Sequence, residues 1–181
     1  MKSTFVLTAA AALGISACGQ SASKPQLLRT RTAFDLTVRL PYAEAARLFG
    51  PEGERPYAGE HWNPQFLYPQ PPHDEQNAVF TIEHGHVTAT WVNTLFDLEE
   101  RHFIYAYFIP EIMVATIDVR FHSTAPNITQ VHVVYTRTAL TPEGNEHVTA
   151  FTAIDKTAGH DWQQAIDSYL ASRKPWNGLH K

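Results

Sequence analysis

The chain has 181 residues, 44% of them apolar and 18% charged, with twelve Pro, nine Gly and a single Cys. This is enough for one globular domain with short extras. Fourteen Lys and Arg stand against 18 Asp and Glu, and the pI is near 6.2; that balance excludes a dedicated nucleic-acid binder, which needs a basic excess to neutralise phosphates.

Met1-Lys2 is a short cationic start, and Phe5 to Ala17 is an apolar, Ala-rich run ending in Ile15-Ser16-Ala17-Cys18-Gly19. The pattern predicts a secretory signal. At 13 residues the run falls short of the roughly 20 that a helix needs to span a bilayer, so cleavage is expected over retention. Ile-Ser-Ala-Cys resembles the lipobox of bacterial lipoproteins, in which the cysteine thiol takes a diacylglyceryl group before cleavage. The resemblance implies that residues 1–17 are a signal peptide and that Cys18 becomes the lipidated N-terminus; the plainer alternative is an ordinary signal with a chance cysteine. Several acyl chains, palmitate among them, hold a protein on a membrane far more firmly than one does. With Gly19 and not Asp after the cysteine, the same resemblance implies an outer-membrane protein facing the periplasm. The folded part then has no cysteine for a disulfide and must be stable through its core alone.

Residues 19–27 (GQSASKPQL) begin small and polar, and with Cys18 they form a tether ahead of a domain at 28–173. Phe34, Leu36, Val38 and Leu40 alternate with polar residues, the period of a strand with one buried face. Tyr42 to Phe49, with Pro41 at the entry and Gly50 at the exit, predicts a short helix. From Pro51 to Asn77 the spacing of Pro and Gly predicts a 27-residue loop with at most one helical turn, long enough to suspect function. Val79–Glu83, Val87–Phe96, Phe103–Ile109, Glu111–His122 and Ile128–Thr141 are β-branched or aromatic runs parted by short polar breaks, an antiparallel meander. Ala158, Trp162, Ala165, Ile166, Tyr169 and Leu170 then form a helical stripe, to which Glu146–Asp155 adds weaker helix, and 174–181 reads as a tail. A curved sheet covered by the one long helix is an α+β layered domain.

Gly53-Glu54-Arg55-x-Tyr57, Trp62-Asn63-Pro64-Gln65-Phe66-Leu67, the run Tyr135 to Gly144, and Trp162-x-x-Ala165-Ile166-x-x-Tyr169-Leu170 occur in the order of these elements. Over roughly residues 33–173 the chain resembles the START-like superfamily, also called SRPBCC, which includes polyketide cyclases and Bet v 1. The resemblance implies a helix-grip: a curved antiparallel β-sheet wrapped around a long C-terminal α-helix, with an apolar cavity between them. It implies ligand capacity and no particular reaction, since the superfamily spans lipid carriers, cyclases and hydrolases without shared catalytic residues.

In the run Phe103–Ile109, Tyr105 and Tyr107 share one face while Ile104, Ala106 and Phe108 share the other, so alternation leaves the inner face open. With the tyrosines inward, they join Trp62, Phe66, Trp91, Met113 and Tyr135 as a mostly apolar lining with a few hydroxyl and indole donors. The alternative is that these rings only fill the core. Glu54, Arg55, Glu60 and His61 beside Trp62 would put titratable groups at the open end of the grip. The favoured reading is plainer: an exposed Glu54–Arg55 pair, with Trp62 anchoring the loop.

His84-Gly85-His86 puts two imidazoles two residues apart, but Gly85 reads as a hairpin turn, and no spacing brings His61 or His102 to complete a metal site. No metal or cofactor is expected, and no Gly-x-Ser-x-Gly turn supports a serine nucleophile. The leading expectation is a membrane-anchored domain that takes a small hydrophobic or amphipathic ligand. The alternatives are a cyclase- or hydrolase-like enzyme using the same cavity, with Tyr105, Tyr107, Tyr135 or His61 moving protons, and a cavity-free scaffold that offers the doubly apolar Phe103–Ile109 strand to a partner, a second copy included.

Overall fold

The computed structural model describes residues 25–173. The expected signal peptide, Cys18 and the tail 174–181 lie outside the described residues. Strands form over the alternating and the β-branched or aromatic runs: β1 (Arg29–Val38), β3 (Val79–His84), β4 (Val87–Asp97), β5 (His102–Ile109), β6 (Met113–Ala125) and β7 (Ile128–Ala139). Behind Pro41 come a helical turn, α1 (Tyr42–Ala45), and a 3-10 turn, Ala46–Leu48. Gly85, at φ 64°, makes the β3–β4 hairpin, as its place in the sequence suggested.

One expectation needs correcting. The stretch 51–77 holds the single helical turn allowed for, α2 (Pro51–Glu54), but the rest is not all loop, since it contains a short strand, β2 (Gln65–Tyr68). Local propensity does not make that strand. Phe66 sits opposite Phe80 in β3 and stacks on its ring at 5.4 Å, so tertiary burial holds a Pro-flanked segment extended. Glu146–Asp155 does add helix: with the later stripe it forms one continuous element, α3 (Gly144–Ser172), 29 residues long. Thr152 does not break it: its hydroxyl bonds back to the Val148 carbonyl at 2.6 Å and lies 2.8 Å from the Thr30 hydroxyl.

The seven strands form one antiparallel sheet in the order β1-β7-β6-β5-β4-β3-β2. Register shifts at Asn93/Leu95 and Ser123/Ala125 bend β4 and β6. One cross-strand row on the concave face runs Phe66, Phe80, Trp91, Tyr107, Ala115, Arg137, Thr30, and the next runs Asn93, Tyr105, Ile117, Tyr135, Thr32. Both tyrosines of β5 therefore face inward, buried at 5% and 4%, while Phe108 on the convex face is 43% exposed. This is the α+β helix-grip expected of the sequence, with α3 lying over β1 and β7.

Polar bonds stitch the helix to the edge strand. Thr32 donates to Asp155 at 2.8 Å, and the Gln163 side chain takes both the N–H and the C=O of Thr37, at 2.8 and 2.9 Å, satisfying edge backbone that a sheet would otherwise leave open. Between these points Gly159 packs so closely that an added Cβ would lie 2.9 Å from the Cβ of Phe34. Gly to Ala inside a helix ordinarily stabilises by about 0.5–1 kcal/mol. Gly159→Ala reverses that sign, with a loss of about 1–3 kcal/mol from overpacking; urea unfolding measures it, and an unchanged or raised midpoint would show that the helix does not sit this close to β1.

Candidate functional site

Where α3 leaves the sheet, a small enclosed chamber of about 30 Å³ opens between helix and strands. It continues into a wider vestibule of about 230 Å³, and Glu54, Trp62, Trp91, Tyr135 and Trp162 border both. The chamber holds two or three water-sized groups, so only a head group fits in it.

Its walls follow from the rows of the sheet. Trp91 is stacked between Phe80 and Tyr107, at centroid distances of 5.8 and 4.3 Å. Trp62 meets it edge-on at 5.5 Å, and the Trp62 indole N–H donates to the Pro51 carbonyl at 2.9 Å, so this residue does anchor the loop. Trp162 comes down from α3 against Phe34 and Phe49, at 6.0 and 5.8 Å. Of the residues expected as lining, Trp62, Trp91, Tyr105 and Tyr135 border the chamber and Tyr107 the vestibule. The structure places the other two in the core: Phe66 lies behind Phe80, and Met113 is fully buried opposite Ala139 at the far end of β6.

The residue that sequence reasoning misplaced is Glu54. It is not half of an exposed pair. Its neighbour Arg55 instead binds Glu52 at 2.7 Å, while Glu54 is turned inward and is only 6% exposed. Local geometry forces this. Gly53 lies against the 3-10 turn, where a Cβ would come within 1.9 Å of the Arg47 carbonyl, so α2 sits flat on Ala46–Leu48. Asp74 fixes the start of α2 by accepting the N–H groups of Glu52 and Gly53 at 2.8 and 3.1 Å. One turn on, Glu54 can only point into the chamber.

There its carboxyl has no hydrogen-bond partner among the described residues. Burial, and secondarily the Asp74 carboxylate, push its pKa well above the ordinary carboxylate value of 4.5. Burial likewise raises Tyr57, Tyr105 and Tyr135, with the Glu54 charge adding to each. Two of these hydroxyls are engaged, Tyr57 with the Leu48 carbonyl and Tyr105 with the Phe49 carbonyl. That of Tyr135 has no partner among the described residues, and the buried Nε1 of Trp91 has none either.

Beside the vestibule lies a charge pair of the opposite kind. Arg137 of β7 and Asp155 of α3 are both buried and bonded to each other, and Arg137 also donates to the Tyr107 hydroxyl at 3.3 Å. Its guanidinium lies over the Tyr135 ring at 4.5 Å. The two charges cancel, which leaves the chamber without a cation of its own. Among the described residues no three His, Cys, Asp or Glu side chains come together as metal ligands. His61 is at the vestibule, whereas His102 is on the convex face, 3.1 Å from Asp118.

No protein-family model matches the sequence, and no curated protein matches it. Solved structures do match in fold. Norcoclaurine synthase from Thalictrum flavum, in complex with dopamine and hydroxybenzaldehyde, superposes with a TM-score of 0.59 at 13% identity, over 96% of this chain and 99% of that one. The Zhui aromatase/cyclase from Streptomyces sp. R1128 gives 0.61 at 14% identity, over 84% and 100%. Ara h 8.0201 gives 0.53 at 12% identity, over 80% and 99%. The chain has the START-like, Bet v 1-type helix-grip fold of these proteins, and at such identities the likeness is one of fold.

The raised pKa of Glu54 has a consequence for stability. The folded state holds this proton more tightly than the unfolded chain, so stability falls as pH rises from about 4.5 toward the titration point of the buried group. One proton sets the limit of the slope at about 1.4 kcal/mol per pH unit. Unfolding curves of wild type and Glu54→Gln between about pH 4.5 and 8 should therefore diverge, the variant gaining relative stability at the alkaline end; parallel curves would mean that Glu54 is solvated.

Proposed function

We propose that the protein is a ligand-binding domain, tethered to the bacterial outer membrane on its periplasmic side through lipidated Cys18, that takes a small amphipathic molecule between the sheet and α3. The observation that carries this reading is the chamber itself: an aromatic enclosure with the unpaired Glu54 and Tyr135 side chains in its wall, continuous with a wider, mostly apolar vestibule. A molecule with a small polar head and an apolar body matches that division. The membrane would supply and receive such molecules, and the tether keeps the vestibule within reach of it. The anchor in this proposal is Cys18, on the strength of the lipobox-like Ile15-Ser16-Ala17-Cys18; among the described residues no helix is long and apolar enough to cross a membrane.

A second reading, catalysis in the same cavity, is favoured by one specific feature. An unpaired acid in a dry aromatic site is the arrangement that acid–base chemistry uses, because burial moves the carboxyl pKa toward neutrality. The fold neighbours include a synthase and an aromatase/cyclase, which agrees with either reading.

Native mass spectrometry on the protein isolated from a bacterial envelope separates occupied from empty cavities. A discrete small-molecule adduct that is lost on denaturation is expected. An empty protein that also takes up no apolar or aromatic probe would leave the chamber as a packing gap and remove the binding reading.

A further inference from the structure

The free polar groups of the chamber differ from those of its surroundings in one respect: they are donors. The Tyr135 hydroxyl has no partner among the described residues, and Tyr105 and Tyr57 give theirs to backbone carbonyls. Glu54, unpaired in an apolar enclosure and close to a second carboxylate, takes the form that burial favours, a neutral acid with an O–H to give. Each donor left unmade in such a place costs on the order of 1–3 kcal/mol.

We infer that the chamber is a carbonyl-binding site, in which Glu54 and Tyr135 donate to the oxygen of a neutral aldehyde, ketone or similar acceptor while its apolar body lies in the vestibule. The inference rests on the ligand-binding reading of the cavity and adds the chemical class of the head group.

Two alternatives fit less well. An anionic head, such as a carboxylate, would meet Glu54 and Asp74 with no cation to receive it, because Arg137 is spent on Asp155. A protonated amine needs an ionised Glu54, the form that burial and the nearby Asp74 carboxylate disfavour. Nor are the faces of Trp91 open to it, since Phe80 and Tyr107 cover both sides of that ring.

Four probes of one size and different heads separate these cases when the full chain is titrated with each and read by tryptophan fluorescence: acetophenone, benzylamine, benzoate and ethylbenzene. Acetophenone should bind most tightly. With the carbonyl carbon labelled, its ¹³C resonance should move downfield on binding, as a hydrogen-bonded carbonyl does. Glu54→Leu should weaken acetophenone by about tenfold, the loss of one buried hydrogen bond, and leave ethylbenzene unchanged. Glu54→Gln keeps a donor in place and should stay within about threefold of wild type, whereas an amine site would lose its ligand with either variant.

Tighter binding of benzylamine or benzoate than of acetophenone would overturn the inference while the cavity still counts as a ligand site. Equal binding of acetophenone and ethylbenzene, insensitive to Glu54, would do the same. If none of the four probes binds, the ligand-binding reading fails and this inference fails with it.

Discussion

A straight helix cannot lie flush along a strongly bent sheet, and most of this protein's chemistry follows from that mismatch. At 29 residues, or about 44 Å at the rise of an α-helix, α3 is the one element among the described residues able to cover the concave face. It commits to one side, β1 and β7, where Asp155, Gln163 and the close approach of Gly159 to Phe34 hold it down. The rest of the face must be filled by something else. Stacked rings do part of this, from Phe66 through Phe80 and Trp91 to Tyr107. The segment that carries α2 and Trp62 does the remainder, and the chamber is what neither the helix nor the rings reach.

Two buried carboxyl groups sit at the margins of this gap in unlike surroundings. Asp155 accepts from both Arg137 and the Thr32 hydroxyl on its Oδ2, and the pair works as a strut between helix and sheet. Removing one partner of such a pair typically costs about 3–5 kcal/mol, because the other charge is then stranded. Glu54 lies among rings near a second carboxylate, and its burial and that negative charge favour the neutral form. A residue kept where it destabilises the charged state, on a helix whose glycine and distant cap leave it no other direction, is better accounted for by a site than by packing.

Much of this architecture was legible in the sequence, because periodicity reports burial directly. The alternation in Phe34–Leu40 and in the five later runs located the strands, and the stripe Ala158–Leu170 located the covering helix. Legibility failed where a distant partner overrides the local signal. The first two turns of α3 carry Val148 and Phe151 on the inward face, but Asp155, charged and in line with them, interrupts the stripe; only Arg137, 18 positions earlier, makes that acid an interior residue. Strand β2 is hidden among prolines and depends on Phe80. The direction of Tyr105 and Tyr107 was undecidable while both faces of β5 were apolar, and cross-strand register with Trp91 and Tyr135 settles it inward.

Glu54 was the most consequential misplacement, and its neighbour explains it. Arg55 next to an acid reads as a surface pair, yet successive residues of a helix point in different directions, and Glu52, three before Arg55, is the better partner. The signal that could have located Glu54 is the pair of glycines at 50 and 53, which marks backbone packed too closely for side chains. The direct test of the account is a ¹³C NMR titration of the Glu54 carboxyl in glutamate-labelled protein, with the resonance assigned by its loss in Glu54→Gln. The account predicts a carboxyl still protonated well above pH 4.5 and shifted when a carbonyl probe enters the chamber. A midpoint at the ordinary carboxylate value, unmoved by any probe, would contradict it.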